Sequence, residues 1–255
     1  MSKIDNYCDF EDSLKGHELK DYSSIEQFQG YFDNIAKYIF GNVAIVIDEG
    51  KNRTIYYLEE IEFYYNNLSK EKIDSAKGVK GKNATEEEKR YIYHFSCTYR
   101  RDKEANQLFW HYSGVDICFQ SFMDRNCYGG ILIRSLTKEY IDNKGKVARE
   151  LIAGPLRCSN ELMNQSVLLN CVPHIEEIKC SKDRIVDVNS IGSTIRQGIE
   201  TRYKDVLESI YNEKDRKNYK FPFFCYFIKK EENEWKSAKY GSIPEKRANY
   251  IRSIS

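Results

Sequence analysis

Apolar and polar positions along the chain follow two periods, which predict helices in some segments and strands in others. Apolar residues recur at helical spacing over residues 24–40, where Ser23 or Ser24 is suited to cap the helix and Gly41 to end it. β-Branched and aromatic residues dominate residues 54–65, a composition typical of a strand. The same criteria predict further strands at 42–48, 107–112, 115–122, 130–136 and 221–228, and further helices at 156–170 and 199–212.

This order of elements predicts an α+β fold, in which one domain holds a curved, mostly antiparallel sheet flanked by helices. The polar residues 1–23 are expected to form a flexible N-terminal arm, and 24–230 the folded domain. Within that domain, residues 66–90 are rich in Lys and Glu and predict a solvated insertion. Residues 231–255 are expected to form a charged C-terminal tail, and the turn at 49–52 to join two strands into a hairpin.

One carboxylate in the aromatic strand is chemically unusual. Because side chains alternate along a strand, Glu62 is predicted to share a face with four other even-numbered residues of the strand. These are Tyr56, Leu58, Glu60 and Tyr64. A carboxylate held among aromatic side chains costs desolvation free energy unless charged or hydrogen-bonding partners offset it, so its presence suggests either such partners or a functional role. A task that suits these residue types is the activation of a water molecule beside a flat, stacked ligand.

Composition narrows the classes of partner and site. The 40 basic and 39 acidic residues give a net charge of +1, so a nucleic-acid site has to be a local patch. The eight cysteines form no C-x-x-C pair, and the four histidines are too scattered to indicate a zinc site. We therefore expect reduced thiols, no metal and no cofactor. The N-terminal residues lack the apolar core of a signal peptide, and no apolar run reaches the roughly 18 residues of a membrane span. A cytoplasmic protein is expected.

Six segments in order along the chain, spanning most of residues 24–230, resemble the motifs of one enzyme family. They are 36–43 (AKYIFGNV), 60–64 (EIEFY), 108–120 (LFWHYSGVDICFQ), 130–136 (GILIRSL), 154–157 (GPLR) and 195–199 (IRQGI), the last followed by an apolar strand. In order and spacing they resemble the alkyladenine (3-methyladenine) DNA glycosylases. The resemblance implies an enzyme that flips a damaged or modified base into an aromatic pocket and hydrolyses its N-glycosidic bond, leaving an abasic site.

The resemblance also implies roles for individual residues. Glu62 matches the general base that activates water, and Tyr64 matches the aromatic residue that stacks on the flipped base. Arg134 matches a strand arginine that lies near the general base. Its positive charge there would keep Glu62 ionised. His94 and Trp110 match the side chains that cover the opposite face of the flipped base, although the family usually has Tyr at the position of Trp110.

Two positions depart from the family pattern. The family inserts a Tyr, directly before the turn glycine, into the hole left by the flipped base. Here that position is Ser113, so either Tyr112 takes the role after a local shift or the wedge is different. The family's Asn that rejects the amino group of guanine corresponds to Gln120. Together with Trp110, this change suggests a pocket tuned to another base.

The expected partner is double-stranded DNA, bound by a monomer. Arginines are expected to anchor its phosphates, near the backbone amides around Gly114. They are Arg100, Arg101, Arg157 and Arg196. No lysine occurs in the pocket motifs, so Schiff-base lyase chemistry is not expected.

Three alternatives remain open from the sequence. The chain could be a glycosylase of an unusual or hypermodified base in foreign, phage-type DNA. It could be a non-catalytic reader of modified bases, which needs the stacking aromatics but neither Glu62 nor Arg134. It could also be an RNA- or protein-binding module that uses an aromatic sheet as its contact surface.

Overall fold

A computed structural model describes residues 14, 25–49, 52–66, 104–119, 128–178, 186–194, 225–229 and 251–253. For a few of these residues, mostly at the ends of helices and strands, only the backbone is described. The described residues form an α+β fold in a single domain, with a curled antiparallel half-barrel sheet and two helices. The predicted fold class is confirmed. The predicted helix at 199–212 and almost all of the insertion at 66–90 lie outside the described residues.

The elements follow the predicted order. Helix α1 (Ile25–Asn42) leads directly into strand β1 (Val43–Glu49), and β2 (Asn52–Asn66) contains Glu62. The remaining elements are β3 (Leu108–His111), β4 (Gly114–Phe119), β5 (Tyr128–Ile141), β6 (Val147–Ala153), α2 (Pro155–Leu169), β7 (His174–Glu177), a 3-10 turn (Val188–Ser190), β8 (Ile191–Thr194), β9 (Cys225–Ile228) and β10 (Ile251–Ser253). No element was predicted at the positions of β6, β7, β8 or β10. Neither α1 nor α2 is long and apolar enough to cross a membrane.

The two longest strands, β2 and β5, form the centre of the sheet. The main strand order is β10-β8-β9-β2-β5-β4-β3, with every pair antiparallel. β1 pairs with the first half of β2, as the predicted hairpin requires, and β7 and β6 extend the sheet beside β1 and β5. β10 lies within the segment predicted as a charged tail and pairs with β8. The centre of β2 is therefore bordered by β5 on one side and β9 on the other.

One hydrophobic core joins the helices to the sheet. From α1, the ring of Phe32 stacks on that of Phe63 in β2, with 4.5 Å between centroids. From α2, Cys158 and Leu162 belong to the same core. Leu14, in the segment predicted as an N-terminal arm, is 1% exposed and is also a core residue. The helices thus hold the middle of the sheet in a fixed position.

The pairing of β2 with β5 is irregular next to Glu62. Leu58 pairs with Leu136 and Ile61 with Ile133, but Glu60 pairs with Ser135 between them. The register therefore skips one residue on each strand, Glu59 on β2 and Arg134 on β5. An extra residue of this kind interrupts the alternation of side chains.

Because of this irregularity, part of the prediction about which side chains share a face with Glu62 is wrong. Strict alternation would separate Tyr56 and Leu58 from Ile61 and Phe63, but all four belong to the hydrophobic core. Tyr56 and Leu58 therefore pack with the core instead of flanking Glu62. The register break is a tertiary feature of two strands, so the residues of β2 alone could not reveal it.

A glycine in β8 provides a test of this packing. A Cβ atom at Gly192 would lie 2.7 Å from Cζ of Phe227 on β9. Because the ring is fully buried, Gly192→Ala should lower the free energy of unfolding by about 1–3 kcal/mol. The control is Gly30→Ala in α1, where no atom lies within 4 Å and the helix should gain about 0.5–1 kcal/mol. Urea denaturation measures both variants, and an unchanged stability of Gly192→Ala would contradict the described packing.

Candidate active site

Glu62 and Arg134 meet in the middle of the sheet. Nη1 of Arg134 donates to Oε2 of Glu62 at 3.0 Å, and Nε donates to Oε1 of Glu60, also at 3.0 Å. One guanidinium therefore bridges two carboxylates of the same strand. The approach of Arg134 to Glu62 that the sequence predicted is present. Glu62 is fully buried, and 11% of the Arg134 side chain is exposed.

Each oxygen of the two carboxylates accepts from a named donor. The hydroxyl of Tyr64 donates to Oε1 of Glu62. Oγ of Ser135 donates to Oε2 of Glu60 at 3.0 Å, and Sγ of Cys225 approaches Oε1 of Glu60 at 3.8 Å. Burying two carboxylates is costly unless they are paired and hydrogen-bonded, and this network meets both conditions.

The register break positions this network. Arg134 and Ser135 are consecutive on β5, and regular alternation would send their side chains to opposite faces. Both nevertheless contact Glu60, because Arg134 is the residue that the register skips on β5. The irregularity between β2 and β5 thus gathers an arginine, a serine and two glutamates at one point.

The charges of the network favour a cation. Two glutamates surround one arginine, so the ionised group carries an excess of one negative charge. Burial by itself would lower the pKa of Arg134, but the neighbouring charges, led by Glu62, hold that pKa above its usual value. The guanidinium therefore stays charged, and a positive charge developing beside Glu62 would be stabilised.

Three residues that the sequence analysis did not select lie on the same side of the sheet as Glu62. Asp116 on β4 pairs with Leu132 on β5, which pairs with Glu62 on β2. Directly paired residues share a face, so the Asp116 backbone lies two strand spacings away, about 10 Å. His111 places Nε2 at 3.1 Å from Oδ2 of Asp116, and the Phe109 ring stacks on His111 with 5.9 Å between centroids. The alternation of β3 and β4 was the only sequence signal for them.

Trp110 lies on the other side of the sheet. It pairs with Val115, a core residue, and its own side chain packs against the hydrophobic core. The structure therefore does not bring Trp110 to Glu62, in contrast to the predicted pocket. The aromatic residue of β3 on the Glu62 side is Phe109, since it pairs with Asp116.

The two residues predicted as candidates for a DNA wedge form the tip of the β3–β4 hairpin. Tyr112 and Ser113 are the two turn residues, and Tyr112 is 86% exposed. Oγ of Ser113 lies 2.9 Å from Nδ1 of His111. The tip thus presents an unburied aromatic ring on a turn that is held by a side-chain contact.

Of the predicted phosphate anchors, only Arg157 is described. It lies in the first turn of α2, is exposed, and donates from Nη1 to the carbonyl oxygen of Ala153 at 3.3 Å. The other predicted site residues lie outside the described part of the chain. They are His94, Arg100, Arg101, Gln120 and Arg196.

Among the clefts formed wholly by described residues are two that lie along α2. The larger, about 300 Å³, is bounded by Arg53, Lys138, Tyr140 and Gln165, and the smaller, about 200 Å³, lies between β6 and α2. Neither is lined by Glu62 or Arg134. In the described ranges, no group of three or more His, Cys, Asp or Glu side chains is arranged to hold a metal ion.

No protein-family model matches the chain, and a search of curated proteins finds no match. The resemblance to alkyladenine DNA glycosylases therefore depends on the motifs of the chain itself.

Proposed function

We propose that this protein is a monofunctional DNA glycosylase that hydrolyses the N-glycosidic bond of a damaged or modified base. The observation that carries the proposal is the Glu62 carboxylate, fully buried and held by Arg134 and Tyr64. A buried glutamate beside an arginine and a tyrosine is the combination that the motif resemblance requires of a water-activating base.

The charge of the network suits the reaction. As the bond to the base breaks, the deoxyribose gains oxocarbenium character, and the excess negative charge around Arg134 would stabilise it. Glu62 would remove a proton from the attacking water, a contribution of roughly 10²–10⁴-fold in rate. Because Arg134 already donates to Oε2 of Glu62, the attacking water would donate its hydrogen bond to Oε1.

Tyr64 links base binding to activation of the water. Its hydroxyl donates to Oε1 of Glu62, and the side chain is only partly buried. In the proposed complex, the ring of Tyr64 moves to stack on the flipped base, which is worth about 1–3 kcal/mol. That movement would release Oε1 for the water, so Glu62 would become active only when a base is bound.

The hairpin tip fits the step that extrudes the base. Enzymes that flip bases insert a side chain into the stack to fill the space that the base has left. Tyr112 is 86% exposed on a two-residue turn and carries an aromatic ring suited to stacking. We therefore assign the wedge to Tyr112, with Ser113 beside it.

The proposal is tested by incubating the purified protein with duplexes that each carry one damaged or modified base. Alkali then cleaves at any abasic site, and the products are separated by length. We expect cleavage at one or a few of the bases, and none before treatment with alkali. Binding without cleavage on every duplex would instead indicate a reader of modified bases. Cleavage by a Glu62→Gln variant at the wild-type rate would show that Glu62 is not the general base.

A further inference from the structure

The β3–β4 hairpin carries a second group of reactive side chains, separate from the Glu62 network. Oγ of Ser113 lies 2.9 Å from Nδ1 of His111, and Nε2 of His111 lies 3.1 Å from Oδ2 of Asp116. A hydroxyl, an imidazole and a carboxylate thus follow one another at contact distance. This is the order of groups that activates a serine as a nucleophile.

The backbone assigns the roles of the two ring nitrogens. The amide N–H of Ser113 points at Nδ1 of His111 at 3.4 Å, and an N–H group can only donate. In the neutral ring, this contact requires the lone pair on Nδ1 and the proton on Nε2, which faces Asp116. In serine proteases the nitrogens are used in the opposite order, but either can act as the base when the other is held by a carboxylate.

Exposure increases from Asp116 through His111 to Ser113, as catalysis by these three groups requires. Asp116 is fully buried, 13% of the His111 side chain is exposed, and Ser113 is exposed. A buried carboxylate would stabilise the imidazolium that forms during proton transfer, while the hydroxyl stays within reach of a substrate. The contact between Nε2 and Oδ2 has the length of an ion pair without the alignment of a hydrogen bond. Such catalytic contacts often become aligned only when substrate binds.

We propose that Ser113, His111 and Asp116 form a second catalytic site, which transfers acyl groups from esters to water. Oγ of Ser113 attacks the ester carbonyl while its proton moves to Nδ1 of His111. The C–O bond to the alcohol breaks, and the alcohol leaves with that proton. Water then attacks the acyl carbonyl and gives one proton to Nδ1. The bond between that carbonyl and Oγ breaks, and the proton passes from Nδ1 to Oγ as the carboxylic acid departs.

The neighbours of His111 indicate the kind of ester. The ring of Phe109 stacks on the imidazole at 5.9 Å, and the ring of Tyr112 lies 6.3 Å away, edge to face. Two aromatic side chains next to the imidazole favour aryl or apolar groups over charged ones. The site is therefore expected to prefer aryl esters with short acyl chains.

The test uses the full chain, p-nitrophenyl acetate and a fluorophosphonate probe. Wild-type protein should release p-nitrophenolate and carry the probe on Ser113, as located by peptide mass spectrometry. Ser113→Ala should abolish labelling, and His111→Ala should slow ester hydrolysis by about 10²-fold or more. The matched controls are Ser190→Ala and His174→Ala, because Ser190 is a serine with partial exposure and His174 is another histidine beside a carboxylate. Both should keep wild-type rates.

Two results would overturn the proposal. One is wild-type protein that neither hydrolyses the ester nor takes up the probe. The other is hydrolysis that Ser113→Ala leaves unchanged, which would leave Ser113 only the structural role of holding the turn. Because Ser113 is exposed and removal of its hydroxyl loses one turn contact, its alanine variant should lose little stability, and thermal unfolding checks that each variant is folded.

Discussion

Replacing Glu62 with Gln is expected to lower the single-turnover rate of base excision by about 10²–10⁴-fold, because the amide cannot remove a proton from water. Binding to the same duplex should stay within a few-fold of wild type, since the substitution keeps the size of the side chain. Glu60→Gln should have a smaller effect, because Glu60 orients Arg134 and adds to the negative charge of the group but does not take the proton from water. Excision is measured with enzyme in excess over duplex, and binding by fluorescence anisotropy.

The matched control for this substitution is Glu139→Gln. Glu139 lies on β5 and pairs with Arg149 at 2.7 Å, but 53% of the arginine side chain is exposed. Its neutralisation should leave excision unchanged. If Glu62→Gln retained the wild-type rate on a duplex that the protein cleaves, Glu62 would be a structural residue and the activity would belong to another site.

The elements that the sequence predicted well are those with a strong local pattern. Helix α1 has a continuous apolar stripe, and β2 has a long aromatic and β-branched run, so both were found with nearly correct ends. β6 was missed because most of its residues are exposed or only partly buried, and charged Arg149 and Glu150 interrupt its apolar positions. β7 was missed for the same reason, since all four of its residues are at least partly exposed. Such strands form because a neighbouring strand supplies hydrogen-bond partners, which no local pattern reports.

The site shows a similar division. Glu62, Tyr64 and Arg134 were selected from the motifs, and the structure places them in one hydrogen-bonded group. Ser135 and Cys225 were not selected, since their contacts with Glu60 depend on how β5 and β9 pair with β2. Cross-strand register is set by the whole sheet, so a sequence read strand by strand identifies the reactive residue better than its supporting partners.

The side of the sheet on which a residue lies was the least predictable property. The sequence placed Trp110 in the pocket, but its partner Val115 belongs to the core, and Trp110 packs there. Shifting a strand by one residue exchanges the two faces, and β3 has only four residues from which a register could be read. Phe109 and His111 consequently occupy the side that Trp110 was expected to share with Glu62.

Arg134 is expected to contribute more to stability than an arginine at the surface of the same sheet. It is the guanidinium between Glu60 and Glu62, both of which are almost fully buried. Removing it would leave two like charges in a region of low dielectric with no cation between them. Lysine would keep the charge but could not bridge both carboxylates with a planar fork.

Arg134→Met should therefore lower the free energy of unfolding by about 3–5 kcal/mol, measured by urea denaturation at neutral pH. Arg149→Met removes the exposed arginine paired with Glu139 and should cost at most about 1 kcal/mol. Adding Glu60→Gln and Glu62→Gln to Arg134→Met should recover part of the loss, because the buried charges then disappear together with their partner. Equal losses for the two arginine variants would show that Arg134 is not needed to compensate buried charge, and the electrostatic basis of the proposed active site would fail with it.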